Sequence, residues 1–373
     1  MAGVLLTVLA RMKEQASPAT PEIVEASKRP ELDPFAFEAL VAVRSPEAVS
    51  RAILRLGDAE VTCRRSGLSA INQLGTAARD AVPALERILA EGDWSDRKDA
   101  AHALGVIRDP RAIGALESAL RGPPASAQKE AAAALSWFGQ DAMGSVPALE
   151  ELARSHWAWS VRNAAARTAT ALSGRSISPR APSCRSRPLD EGQQWRVEVE
   201  GRKETLQSVE SHRPRAGRGA CSHADAGWDL FPLLEAPGTC IAGENLGEWG
   251  GSIVVLRGSE REPLRKGWNV NPIRPIQLGG TTLVLEGLAH LGLSTGIVTR
   301  LWRDPGGRWH ADPILELPGL PLAFATTRGG RLLLLTDDKL DRDDPPCPST
   351  AGKEVKGVYL LRIGPDGSAE SLP

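Results

Sequence analysis

Gly292-Leu-Ser-Thr-Gly296 has the spacing G-x-S-x-G, which in hydrolases holds a serine nucleophile on a sharp strand-to-helix turn. His290 stands four residues before Ser294, and Glu286 four before His290. In an extended chain residues 286, 288 and 290 share one face, which puts a Glu/His pair near the serine. The sequence on both sides of Ser294 reads as strand, however, and a hairpin turn accounts for the same spacing without any chemistry. A Glu/His pair on one strand face also serves as an ordinary structural hydrogen bond. An enzyme of the lyase or hydrolase class, with its site in the C-terminal half near Glu286, His290 and Ser294, is therefore the alternative reading. What separates the two is whether those three side chains converge in one pocket.

The other reactive residue types point away from catalysis. Asp337-Asp-Lys-Leu-Asp-Arg-Asp-Asp344 has carboxylates enough for calcium. It lacks the glycine at the sixth and the glutamate at the twelfth position of an EF-hand loop, and it reads as a solvated acidic loop. The five cysteines, at 63, 184, 221, 240 and 347, form no C-x-x-C, which argues against structural zinc. Their odd count and wide spacing fit reduced thiols, while Cys221 and Cys240 are close enough in sequence to pair in an exported protein. Neither G-x-x-x-x-G-K-[ST] nor G-x-G-x-x-G occurs. The sequence predicts no metal and no cofactor. A net charge of −1 argues against a coat for nucleic acid, which needs a basic surface to release counterions. No stretch approaches the ~18 apolar residues of a membrane span. The run Gly3 to Ala10 is apolar but short and has no basic segment before it, so it reads as a helix start in a cytoplasmic protein rather than a secretory leader.

One charged feature is regular. Arg65, Lys98, Lys129 and Arg162 are spaced by 33, 31 and 33 residues. Such a column pairs with carboxylates of neighbouring repeats or forms a row that a ligand can grip. Trp94, Trp157 and Trp159 stand just before the helices that carry it. Aromatic and arginine side chains are enriched at interface hot spots. The expectation is that Lys98, Lys129, Arg162 and Trp159 form one exposed patch for an acidic protein partner. The competing reading has the basic residues serving the fold and the tryptophans closing the core at loop edges.

The elements that would position this column can be counted. Ala81-Val-Pro-Ala-Leu-Glu-Arg-Ile-Leu89 recurs as Ala112-Ile-Gly-Ala-Leu-Glu-Ser-Ala-Leu120 and as Ser145-Val-Pro-Ala-Leu-Glu-Glu-Leu-Ala153, with a weaker copy at Ala48 to Leu54. One apolar column reads Val49, Val82, Ile113, Val146, and another Ala52, Leu85, Leu116, Leu149. A second helix per unit keeps the same register in Leu68, Ala101, Ala132, Ala165, then Ile71, Leu104, Leu135, Thr168, then Leu74, Ile107, Phe138, Ala171. Positions three apart in each helix make one apolar stripe. A hairpin of ~30 residues cannot bury that stripe alone, so hairpins must stack into a solenoid. Residues from about Pro46 to Ser173 are predicted to be helix pairs, with Leu85, Leu104, Leu116, Leu135 and Leu149 buried between them.

The pattern A-V-P-A-L-x-x-x-L followed by V-R-N-A-A-A resembles the short HEAT-like repeats of phycobilin lyase subunits, over roughly Ala48 to Gly174. The resemblance implies an α-α superhelix and brings no catalytic residues with it. HEAT-type solenoids include deoxyhypusine hydroxylase, whose iron is held by His-Glu dipeptides; this chain has no His-Glu. They also include DNA glycosylases with basic grooves, whereas Arg79 to Gly174 is close to electroneutral. The tetratricopeptide and ankyrin signatures do not occur.

Beyond residue 174 the texture changes. Residues 175–192, RSISPRAPSCRSRPLDEG, have no apolar periodicity and read as a linker. From 193 on, short apolar or alternating runs are bounded by Gly and Pro, as in strands. Among them are Trp195 to Val199, Ser252 to Leu256, Thr282 to Leu285, Gly296 to Leu301, Leu322 to Thr326, Arg331 to Thr336, Val358 to Ile363 and Ala369 to Leu372. Two of these lead into tight Asp/Gly turns, at Asp304-Pro-Gly-Gly and Pro365-Asp-Gly. The pattern suggests about three propeller-like blades and a fragment near Trp195 to Val209. The Gly- and Pro-rich stretches here look like an uncharacterised bacterial family.

The sequence thus predicts a multidomain α and β chain. A flexible segment (1–34) precedes an α-α superhelix, a HEAT-like solenoid (35–174), then the linker (175–192) and an all-β, propeller-like domain (193–373). It predicts a non-catalytic protein–protein interaction scaffold with another protein as partner, no nucleic acid and no membrane span.

Overall fold

The computed structural model describes residues 2–179, 194–200, 203–209, 230–236, 239–247, 250–257, 260–267, 270–290, 293–327, 330–337 and 358–372. The chain divides into two compact units, Met1–Ser155 with Val161–Arg180, and His156–Ser160 with Ala181–Pro373.

The first unit is helical: α1 (Ala2–Met12), α2 (Thr20–Ala26), α3 (Asp33–Ala42), α4 (Pro46–Leu56), α5 (Val61–Leu74), α6 (Val82–Glu91), α7 (Trp94–Ile107), α8 (Ile113–Ala119), α9 (Ala125–Leu135), α10 (Val146–Ser155) and α11 (Trp159–Ser173). Residues 2–34 do not form the flexible segment expected of them. They hold α1, α2 and an intervening 3-10 turn, and Leu6, Ala10, Ala16 and Ile23 are buried in the helical core. Apolar residues at 6 and 10 are one helical turn apart, which makes a stripe that α3 covers.

From α4 on the chain is a series of hairpins. Short connections make each pair of neighbours antiparallel. Second helices pack on second helices (α5 on α7, α7 on α9), and first helices likewise (α6 on α8). All five predicted leucines, Leu85, Leu104, Leu116, Leu135 and Leu149, are fully buried. The sequence columns hold in three dimensions down to Thr168, which is buried in the place of a leucine. Ala171 is the exception: it is exposed, and Leu172 takes the buried position.

Local chemistry sets the helix ends. Ser45 caps α4, its side chain accepting from the Glu47 N–H at 3.2 Å, with Pro46 in the first turn where its missing N–H does no harm. At the other end a residue of positive φ, between 55° and 68°, follows α3, α5, α7, α9 and α11: Arg44, Gly75, Arg108, Gly139 and Gly174. Arg108 is left-handed helical (ψ 35°), whereas Gly75 and Gly139 have ψ −131° and −126°, a region open to glycine. Two of these five are arginines, which hold a positive φ at a cost glycine does not bear.

Polar side chains tie one repeat to the next. Arg64 donates to the buried Asp96 carboxylate at 2.7 Å and to the Ala59 carbonyl at 2.8 Å. One repeat later Arg97 donates to the carbonyls of Gly92 (2.7 Å) and Pro123 (3.2 Å), and in the next Gln128 donates to that of Leu120 at 3.0 Å. These donors satisfy carbonyls that the ends of first helices and the following loops leave without partners.

The second unit is antiparallel β. A two-stranded hairpin pairs β1 (Gln194–Glu200) with β2 (Lys203–Val209). Three four-stranded sheets follow, each meandering in chain order. They are β3 (Leu230–Ala236), β4 (Thr239–Asn245), β5 (Gly251–Arg257) and β6 (Glu260–Gly267); then β7 (Pro272–Leu278), β8 (Thr281–His290), β9 (Leu293–Arg303) and β10 (Trp309–Leu317); then β11 (Pro321–Thr326), β12 (Leu332–Asp337), β13 (Val358–Ile363) and β14 (Ala369–Leu372). The predicted runs fall on these strands, and the Asp/Gly turns form. Gly307 (φ 86°) donates to the Asp304 carbonyl at 2.9 Å, and Gly367 (φ 84°) to that of Gly364 at 3.1 Å.

Leu332 to Leu335 are all buried, as are Gly251 to Val255 and Thr282 to Glu286. Such unbroken burial means that both faces of these strands are covered. Sheets join through glycines. Pro272 of β7 lies on Gly243 of β4, and Pro321 of β11 on Gly287 of β8, so close that a Cβ would sit 2.9 Å and 2.7 Å from the proline ring. β1 packs against β11 and β12, which brings the first hairpin beside the last sheet.

Candidate partner-binding surface

The basic column splits in the structure. Lys98 on α7 is exposed and Lys129 on α9 is partly exposed. Arg162 is only 4% exposed and does not join a surface patch. The reason is register: it lies in line with Ala165, Ala166 and Ala169, the buried stripe of α11. Trp159, in the first turn of α11, is half-buried, and Trp157 is buried. The four expected residues therefore do not make one exposed surface.

Part of the column serves the fold. Burial pushes the Asp99 carboxyl above its usual range, and Lys98 and Arg65 pull it back. Arg65 thus acts on a carboxylate one repeat ahead, the neighbouring-repeat role that the spacing also allowed.

Among the described residues the exposed tryptophan is a different one. Trp137 follows α9 and is 38% exposed. Its indole rests over Gly105 of α7, where a Cβ would stand 2.5 Å from the ring, and its edge meets the His102 ring at a centroid distance of 5.5 Å. His102 in turn lies 3.6 Å from the Glu130 carboxylate on α9. Gly105 lets the two helices approach closely enough to seat the indole with one face still open. Beside it a cavity of about 760 Å³ opens between α9 and α11, lined by Lys129, Trp137, Asn163, Arg167 and Thr170 and by the segment Ser176 to Pro179. Ile177 anchors that segment, its N–H donating to Thr170 Oγ1 at 3.0 Å. An aromatic face beside a lysine and an arginine suits a partner offering apolar and acidic groups together.

The backbone sets Glu286, His290 and Ser294 apart: Glu286 and His290 lie on β8, Ser294 on β9, with His290 paired to Leu293 and Ala289 to Ser294. The strand-to-helix elbow that a G-x-S-x-G nucleophile needs is not formed. Ser294 is one residue out of phase with the 286, 288, 290 alternation. At about 3.3 Å per residue, His290 lies roughly 13 Å along β8 from Glu286, beyond hydrogen-bond reach. Glu286 itself is 1% exposed. It accepts from Thr299 Oγ1 and faces Arg265 at 3.4 Å. Burial drives its carboxyl above the ordinary range, against the pull of Arg265 and Thr299. The Arg265 contact links β8 to β6 of the neighbouring sheet. The side chains of His290 and Ser294 lie outside the described residues, as do Cys184, Cys221 and Cys347 and residues 338–344 of the acidic run.

Among the described residues no group of three His, Cys, Asp or Glu side chains is placed to hold a metal, and no helix is long and apolar enough to cross a membrane. Cys63 is a free thiol. Cys240, which the sequence allows either as a reduced thiol or paired with Cys221, is disulfide-bonded.

The first unit is an α-solenoid built of two-helix repeats. Residues 82–170 match the family model for HEAT repeats, which covers α6 to α11 and carries the Trp137 surface. No curated protein matches the chain. A crystal structure of an engineered protein shares 21% identity over 45% of this chain and 78% of its own, at a TM-score of 0.31, too slight a likeness to bear on fold or function.

Proposed function

We propose that the chain is a non-catalytic protein–protein interaction scaffold, and that its second-helix face around Trp137 receives an acidic partner. HEAT repeats are generally protein-interaction scaffolds, and stacked hairpins offer the extended preformed surface that such binding uses. The observation that carries the reading is Trp137 itself: a large aromatic left open over Gly105, with Lys129 and Arg167 beside it and Lys98 exposed about two turns back along α7. Lys98 and Lys129 remain in the patch from the sequence reading; Trp137 and Arg167 take the places of Trp159 and Arg162.

The β unit adds a second surface. We read its three four-stranded meanders as propeller-like blades, on the repeated proline-over-glycine contact between sheets and the strands buried on both faces. The phycobilin-lyase-type subclass, the bacterial family of the β unit and the exclusion of nucleic acid belong to the same reading. So does a cytoplasmic location, although the Cys240 disulfide favours an oxidising compartment.

The test uses a protein captured by the full-length chain and then purified. Trp137→Ala, and separately Lys98→Glu with Lys129→Glu, should each weaken its binding about tenfold, roughly 1.4 kcal/mol. The wild-type affinity should fall steeply with salt, and the charge-reversed chain should lose that dependence. Undiminished binding by both folded variants would exclude this face as the binding surface.

A further inference from the structure

The outer end of the helical unit carries an apolar face that nothing in the described chain covers. Val4 is 70% exposed and Leu5 61%, and Val8 and Met12 continue the exposed stripe along α1 at helical spacing. The opposite stripe, Leu6 and Ala10, is buried in the core. Gly3 lets the exposed Phe35 of α3 lie alongside, 3.4 Å from where a Cβ would stand, and this widens the patch. Helix α1 is apolar on both sides.

The exposed parts of these five side chains amount to about 500 Å² of contiguous apolar surface, at the upper end of what a monomer shows. Doubled across a two-fold axis, that is roughly 1,000 Å², the threshold of a specific interface. The stripe is also nearly symmetric about its centre. In an antiparallel pairing of two α1 helices Val8 meets Val8 and Val4 meets Met12, while Leu5 lies opposite Arg11, whose aliphatic stem can cover it. The surroundings disfavour an anionic lipid surface, because residues 2–38 hold four basic and six acidic side chains.

We propose that two copies of this chain associate through α1, helix against helix about a two-fold axis, burying Val4, Leu5, Val8 and Met12 with Phe35 at the rim. An interface at the threshold size makes a reversible dimer, formed and lost with concentration.

Sedimentation velocity on the full-length chain, from low micromolar to tenth-millimolar concentration, tests this. The wild type should pass from monomer to dimer. Val8→Glu places two carboxylates face to face at the axis and should raise the dissociation constant by at least about 100-fold. Val4→Glu, at the most exposed position, should act in the same direction. Both variants should keep the wild-type helical spectrum and melting temperature. A wild type that stays monomeric throughout overturns the proposal, as does a dimer that survives both substitutions in folded protein. Co-sedimentation with vesicles of phosphatidylglycerol and phosphatidylcholine, lost in the same variants and without dimerisation, would assign the face to lipid instead.

Discussion

Gly105→Ala isolates the contact that seats Trp137. An ideal Cβ at Gly105 would stand 2.5 Å from the Trp137 ring and 2.7 Å from the Ala134 Cβ. Comfortable carbon–carbon separation is about 3.5–4.0 Å, so the groups must part by roughly 1 Å. Trp137 is partly exposed and can swing outward; Ala134 is fixed to the α9 backbone and can move only if α7 and α9 separate. Overpacking of this kind costs about 1–3 kcal/mol. Alanine returns up to about 1 kcal/mol through helix propensity. With the full propensity gain the net expectation is a loss of up to about 2 kcal/mol, or up to roughly 8 °C in the melting temperature of the helical unit. Gly114, on α8, is the internal control. Nothing lies within 4 Å of its ideal Cβ, so Gly114→Ala should raise stability by about 0.5–1 kcal/mol. Urea titrations of both variants, followed by circular dichroism at the helical band, give the two signs directly. If Gly105→Ala stabilised as much as Gly114→Ala, then α7 and α9 would not be in close approach and the indole would not rest over Gly105.

Two further outcomes follow from backbone and burial. Arg108 holds φ 56° at the end of α7, in the column where Gly75 and Gly139 stand. Arg108→Gly should stabilise the helical unit by about 0.5–1 kcal/mol in the same titration, and a destabilised variant would show that the arginine side chain contributes more than its backbone costs. For Glu286, burial raises the folded-state carboxyl pKa above that of the unfolded chain. Stability is then fully present at low pH and is lost as pH rises from about 4 through the folded-state value. Glu286→Gln cannot ionise, so its stability relative to wild type should grow over that window. Parallel pH–stability curves would contradict the assigned shift.

Much of the helical unit was legible because one physical requirement repeats. Every hairpin must bury the same stripe, so Leu85, Leu116 and Leu149 announce the period by their spacing alone. The strands of the β unit were legible for a similar reason, since Gly-bounded runs such as Val358 to Ile363 leave little else to be. The N-terminal helices were missed. Ser17-Pro18 and Pro21 look like breaks, and α1 and α2 lie outside the repeat register. Arg162 was misjudged because a regular column in sequence does not guarantee regular cover: its counterparts on α5 and α7 face solvent, while α11 buries that position. The signal for Trp137 was present. It stands one residue before the buried column of Leu74, Ile107 and Phe138, where the other repeats place Gln73, Val106 and Thr170, and a glycine interrupts the alanine-rich α7 beneath it. Glu286 and His290 could not be judged from spacing alone, because a shared strand face says nothing of the distance along it.

The ties between repeats give the array an order. Asp96 is buried and depends on the guanidinium of Arg64, one repeat behind. The positions of Arg64 and Arg97 in the later repeats hold Gln128 and Val161. Look-alike hairpins are therefore not interchangeable parts. A chain in which the hairpin of α6 and α7 were moved behind that of α8 and α9 would keep every leucine column intact. Yet it would set Asp96 against a glutamine amide instead of a guanidinium, leaving a buried carboxylate without its counter-charge. Hydrophobic periodicity lets hairpins stack in any sequence; the polar side chains beneath it act as addresses that permit only one.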